Sequence, residues 1–150
     1  SGSAFSFYRE LVNRQRVQYS AFCKFGTQHI ISLSPELFLK RDGRKICSQP
    51  MKGTIARGKN IGEDKESIKE LKASLKNRAE NLMIVDLVRN DLGRIANTGS
   101  IKVLQSFKIR KYETIFQMTS EVRGILKKGA SYFDIFKNIF PGGSVPERRR

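Results

Sequence analysis

Apolar and polar positions alternate in two different rhythms along the chain. Phe7, Tyr8, Leu11 and Val12 recur at helical spacing, so residues 5–15 read as a short helix. The period then drops to two. Residues 17–25, 29–33, 37–40 and 44–48 read as strands, separated by Gly26-Thr27, Ser34-Pro35 and Asp42-Gly43. The Asp-Gly pair is a hairpin signal. From Gly62-Glu63-Asp64 the helical rhythm returns, with Ile68, Leu71 and Leu75 as one apolar stripe among Lys and Glu. Residues 77–92 are apolar almost all round through Ala79, Leu82, Met83, Ile84, Val85, Leu87 and Val88, which predicts a buried helix ended by Gly93. Residues 100–104, 107–111 and 114–125 read as strands. Residues 131–140 read as a helix opened by a Ser131/Asp134 capping box. The chain thus mixes helices with strands.

Composition narrows the picture. The chain has 150 residues, enough for one domain with a real core. No apolar run is long enough for a membrane span or a signal peptide, and a cytoplasmic protein is expected. Ser1-Gly2-Ser3 is read as an expression scar. Two cysteines, far apart, and a single histidine argue against a zinc site. Cys23 and Cys47 are expected to be free, buried thiols. The net charge of +15 raises the alternative of a polyanion-binding module without catalysis. The cations are scattered, however, and no nucleic-acid motif accompanies them, so nucleic acid is not the expected partner.

Four stretches carry candidate chemistry. Residues 49–58 crowd Pro50, Gly53, Thr54 and Gly58 around Lys52, and read as a turn where a ligand can approach the main chain. Ser34-Pro35-Glu36 and the Lys52 turn lie at related ends of one small antiparallel meander, which can bring Glu36 and Lys52 together. The helix over 77–92 holds Glu80, Asp86 and Arg89 among apolar residues, and buried charges need partners. Asp86 and Arg89 read as an internal ion pair with other elements. Glu80 reads either as a metal or cleft ligand or as a cap-like residue near the helix start. Thr114–Ile125 offers a polar face of Gln117, Thr119, Glu121 and Arg123 that meets solvent or a polar cleft. Phe140-Pro141-Gly142-Gly143-Ser144 reads as a tight turn or an anion-cradling loop. His29 has no partner that would make it catalytic.

Together, Ser34-Pro35-Glu36, Pro50-Met51-Lys52-Gly53-Thr54, the run from Arg78 to Gly93 and Phe140-Pro141-Gly142-Gly143-Ser144-Val145 resemble one family in order and spacing. It is the chorismate-using enzymes, which include anthranilate synthase component I, aminodeoxychorismate synthase component I and the isochorismate and salicylate synthases. The resemblance covers nearly all of residues 5–145, and it implies the fold class: part of a two-lobed α+β fold, with antiparallel sheets and outer helices. Lys52 is typical of the members that make 4-amino-4-deoxychorismate, the precursor of para-aminobenzoate and folate; anthranilate or isochorismate chemistry is the alternative. The resemblance implies Lys52 as nucleophile at ring carbon 2 and Glu36 as general acid/base. It implies Glu80 as a ligand of Mg²⁺, a hard cation suited to carboxylate oxygen. Gly53, Thr54, Gln117, Gly142, Gly143 and Ser144 then bind substrate, and ammonia comes from a separate glutamine amidotransferase subunit. Nucleophilic attack needs a neutral amine, with Arg57 and the metal as candidate cations beside it. Two departures stand out. Gln117 occupies a position where the family often has His, and Gln cannot shuttle a proton. After Val145 the family continues with Thr-Gly-Ala-Pro-Lys, whereas this chain reads Pro146-Glu147-Arg148-Arg149-Arg150. The expectation is a truncated or frame-shifted N-terminal part of the domain, over residues 4–145, with a basic tail at 146–150. Little or no activity is expected from it alone.

Overall fold

A computed structural model of the chain describes residues 2–140. The chain divides into two compact units, Ser1–Leu37 and Phe38–Arg150.

The first unit is a helix and a hairpin. Helix α1 (Ala4–Arg14) is capped by Ser3, whose side chain accepts the Ser6 N–H. Strands β1 (Tyr19–Phe25) and β2 (Gln28–Ser34) pair antiparallel, with Phe22 opposite Ile31. The rings of Phe5, Tyr8, Phe22 and His29 pack in sequence with centroids 5.4 to 6.1 Å apart. His29 is thus a ring neighbour of Phe22. Cys23 is exposed here, against the expectation of a buried thiol, because β1 turns that side chain away from the aromatic side.

The second unit is a five-stranded antiparallel sheet with helices against it. Its strands are β3 (Leu37–Asp42), β4 (Lys45–Gln49), β5 (Met51–Ala56), β6 (Lys102–Lys111) and β7 (Ile115–Ile125). Strand β7 is the organiser: it pairs with β4, β5 and β6. Its alternate residues Phe116, Met118, Ser120 and Val122 face the buried side, each at most 1% exposed. Helix α2 (Ile61–Ala73) opens on Asn60, and helix α3 (Leu75–Ile95) follows at once. Ser74 ends the first and caps the second, its side chain accepting the Asn77 N–H. That break moves Leu75 off the stripe predicted with Ile68 and Leu71; Leu71 is buried and Leu75 is exposed. Helix α4 (Tyr132–Ile139) has the expected capping box of Ser131 and Asp134.

Two cores result. One gathers Ile46, Val85, Leu92, Ile95, Val122, Ile135 and Ile139 between α3, α4 and the sheet. The smaller one gathers Leu71, Phe116 and Met118 under α2. The structure corrects the reading of α3 in three ways. It runs through Gly93 to Ile95. It is buried on one face only, through Asn81, Ile84, Val85, Asp91, Leu92 and Ile95, while Leu82 and Met83 are exposed. And Asp86 pairs with Arg89 on its own exposed surface at 2.8 Å, one turn apart, instead of with another element.

Strand β6 (Lys102–Lys111) is one strand where two, over 100–104 and 107–111, were expected. The pairing of β6 with β7 shifts twice, between Val103 and Gln105 and between Gln105 and Lys108. Phe107 absorbs the second shift at φ 57°. A residue with a β-carbon held there costs about 1–3 kcal/mol. Its N–H donates to the Ser120 hydroxyl at 3.2 Å. That hydroxyl also makes a short hydrogen bond with the Oδ1 of the fully buried Asn81.

Candidate active site

Proline sets up the candidate site. Pro50 has no N–H, and it separates β4 from β5 along the edge that both present to β7. Its carbonyl still accepts the Ser120 N–H at 3.0 Å. Beyond it, Met51 lies opposite Thr119 and Thr54 opposite Gln117. Lys52 and Gly53 therefore face Met118 alone, which makes a β-bulge. Lys52 is half-buried within β5, so the predicted turn is a bulged strand. Bulges re-aim side chains without ending a strand.

Gly53 has φ 85°, a left-handed conformation. A β-carbon there would lie 2.9 Å from the Asn77 Cβ. The backbone of the bulge thus presses on the first turn of α3. Glu80 stands three residues beyond Asn77 and so on the neighbouring turn of the same side. It is half-buried.

The structure also joins Thr54 to Gln117. The Gln117 Nε2 donates to Thr54 Oγ1 at 3.3 Å. The Gln117 Oε1 is buried and accepts no hydrogen bond. An amide carbonyl in that state can receive a donor from a ligand. Further along the same face of β7, Glu121 is 7% exposed. It accepts from Gln49 Nε2 at 2.7 Å and pairs with Arg123 Nε at 2.6 Å. The Arg110 Nη2 donates to Gln49 Oε1 at 2.8 Å. The polar face expected on this strand is therefore a cross-strand network. Gln49 and Arg110 were not legible as its members, because strand register was not. Burial pushes the Cys47 thiol up, and the Glu121 charge adds to that.

Arg57 is not the free cation expected beside Lys52. Its Nε and Nη2 donate to both carboxylate oxygens of Asp64, at 2.7 to 3.3 Å. Gly58 N–H donates to the same carboxylate at 3.0 Å, and Lys111 Nζ lies 3.8 Å away. A β-carbon at Gly58 would collide with Glu63 at 2.2 Å, so glycine lets the strand end abut α2. The Arg57 guanidinium holds the Asp64 carboxyl below its ordinary value. Arg57 and Gly58 thus fasten β5 to α2.

The remaining candidates are placed as follows. Glu36 lies in the first unit, where its N–H donates to Ser34 Oγ at 3.1 Å and its carbonyl accepts that hydroxyl at 3.2 Å. This Ser34–Glu36 turn is what the Ser-Pro-Glu motif builds. Gly142, Gly143, Ser144 and the basic tail lie outside the described residues. Among the described residues, no three His, Cys, Asp or Glu side chains gather as a metal cluster. Glu80 offers a single carboxylate. Mg²⁺ is commonly held by one or two carboxylates, with substrate and water completing its octahedron, so Glu80 fits as one ligand of such an ion. No helix among the described residues is long and apolar enough to cross a membrane.

Comparison with known proteins adds four findings. Residues 1–147 match the family model described as chorismate binding enzyme. Aminodeoxychorismate synthase component 1 of Escherichia coli (strain K12) is 38% identical over 145 residues, covering 97% of this chain and 32% of that protein. The chloroplastic aminodeoxychorismate synthase of Arabidopsis thaliana is 43% identical over 141 residues, 92% of this chain and 15% of that protein. Among solved structures, anthranilate synthase component I from Streptococcus pneumoniae TIGR4 superposes with a TM-score of 0.81 at 32% identity, over 97% of this chain and 31% of that one. The chain therefore spans about a third or less of the length of these relatives.

Proposed function

This chain belongs to the chorismate binding enzymes, and we propose that within that family it is of the aminodeoxychorismate synthase component I type. The reaction is amination of chorismate at carbon 4, feeding para-aminobenzoate and folate synthesis. One observation carries the reading: a Lys stands on the bulge of β5, where Gly53 brings the backbone against the helix that bears Glu80. Two relatives whose matches cover 97% and 92% of this chain are named as aminodeoxychorismate synthases.

In this reading the Lys52 amine adds to ring carbon 2, both ring double bonds shift, from C1–C2 to C1–C6 and from C5–C6 to C4–C5, and the 4-hydroxyl, protonated, leaves as water. Glu36 gives that hydroxyl its proton. Ammonia then adds at carbon 4 and the Lys52 amine departs from carbon 2. Gln117, held by Thr54, turns its unpartnered carbonyl oxygen to a donor on the substrate. It holds that donor without carrying a proton. Gly53 and Thr54 line the substrate's approach, with Gly142, Gly143 and Ser144 as further contacts. When bound through Glu80, Mg²⁺ neutralises a substrate carboxylate. A glutamine amidotransferase subunit supplies the ammonia.

Because the chain spans about a third of its relatives, turnover by it alone is at most a trace, so product identity is the informative readout. Chorismate, Mg²⁺ and ammonium should yield 4-amino-4-deoxychorismate by mass spectrometry, and Lys52→Ala should abolish it. Anthranilate or isochorismate as the product would overturn the type. Unchanged product from Lys52→Ala would overturn the role of Lys52.

A further inference from the structure

The second unit contains a cavity that the proposed chorismate chemistry does not use. It holds about 440 Å³ and lies between α2 and strands β6 and β7. Ile68, Phe107, Ile109 and Phe116 make its floor. Lys72, Lys108 and Lys111 stand around it, and no acidic side chain lines it. The Arg78 guanidinium lies 4.9 Å over the Phe107 ring and is not part of the cavity's lining.

Phe107 is the feature that sets this cavity apart from a basic surface. It is the single residue other than glycine with positive φ among the described residues. Its conformation is held from behind by Ser120 and Asn81, one hydrogen bond after the other. A plain strand would need none of this. The arrangement keeps an aromatic ring half-buried at the floor, beside lysines from two different elements. An apolar floor favours a flat hydrocarbon body, and the ammonium groups of Lys72 and Lys108 favour an anion, whereas Lys111 is already drawn to Asp64. The volume is that of a small-molecule site.

We propose that the cavity between α2 and β6 is a second ligand site, separate from the Lys52 bulge, for a small amphipathic anion with a ring-sized apolar body and a carboxylate. Its apolar part lies on Phe107, Ile109 and Phe116, and its carboxylate meets Lys72 from α2 and Lys108 from β6. A bound ligand bridges the helix and the strand.

Benzoate and its uncharged counterpart benzamide test this with the whole 150-residue chain. In amide NMR titrations, benzoate should shift Ile68, Phe107, Lys108 and Ile109 saturably and leave Lys52 and Gly53 in place. Benzamide should bind about fivefold more weakly, and the surface double variant Lys72→Gln/Lys108→Gln should weaken benzoate by about fivefold while keeping the dispersed spectrum. Absence of a saturable shift with benzoate, equal binding of benzamide, unchanged binding by the double variant, or shifts centred on Lys52 would each overturn the proposal.

Discussion

Gly53 shows how one residue sets the geometry of the site. Its φ of 85° and the 2.9 Å approach to Asn77 leave no room for a methyl group. Gly53→Ala should therefore destabilise the chain by about 1–3 kcal/mol in urea unfolding, since strain and overpacking act together. A variant as stable as the parent would mean that the bulge does not press on α3. The Arg57–Asp64 pair makes a second prediction, in pH. Asp64 has its carboxyl lowered in the folded state, first by the Arg57 hydrogen bonds. A carboxyl of that kind adds stability above its unfolded value, and the gain is lost as pH falls from about the ordinary 3.8 towards the lower folded value. Asp64→Asn should lower stability at neutral pH and flatten its decline on acidification across that window. Thermal melts at several pH values check this, and parallel curves for the two proteins would contradict it.

At the scale of elements, the sequence was most informative where period and punctuation agreed. The hairpin at Asp42-Gly43, the long strand over 115–125 and the Ser131 capping box are all present. Three features were out of reach for physical reasons. The bulge at Lys52 depends on cross-strand register, which local pattern does not encode, so Pro50 and Gly53 read as a turn. Ser74 alone divides α2 from α3, and one serine inside a helical rhythm is weak punctuation. Leu82 and Met83 suggested burial all round, yet only one face of α3 meets the sheet. The candidate site was legible in part. Lys52, Gly53 and Thr54 were read together, and the structure adds Asn77 beneath them and Gln117 beside them. The link among Asn81, Ser120 and Phe107 left no sequence signal, because it joins three elements. It predicts that Ser120→Ala destabilises by about 1–3 kcal/mol, as it leaves the Phe107 N–H and the Asn81 carbonyl oxygen without this partner. It should also shift the Phe107 and Lys108 amides in an NMR spectrum. A neutral effect on both would mean that Phe107 holds its conformation without Ser120.

For the molecule as a whole, charge and family pull in different directions. A net charge of +15 invites a general polyanion-binding reading. The cations are scattered along the chain, and some are held by acids in pairs that leave the net charge unchanged. Arg57 is bound to Asp64, Arg123 to Glu121 and Arg89 to Asp86. The family match, by contrast, runs over residues 1–147 and includes every motif stretch. The chain covers 32% of its E. coli relative, so chorismate recognition is a better test of the account than turnover. The most direct measurement is an amide NMR spectrum of the chain with and without chorismate and Mg²⁺. The account predicts dispersed peaks, with shifts concentrated at Lys52, Gly53, Asn77 and Glu80 and retained in moderate salt. No shift at these residues, or equal shifts with an unrelated polyanion that vanish as salt is raised, would contradict it.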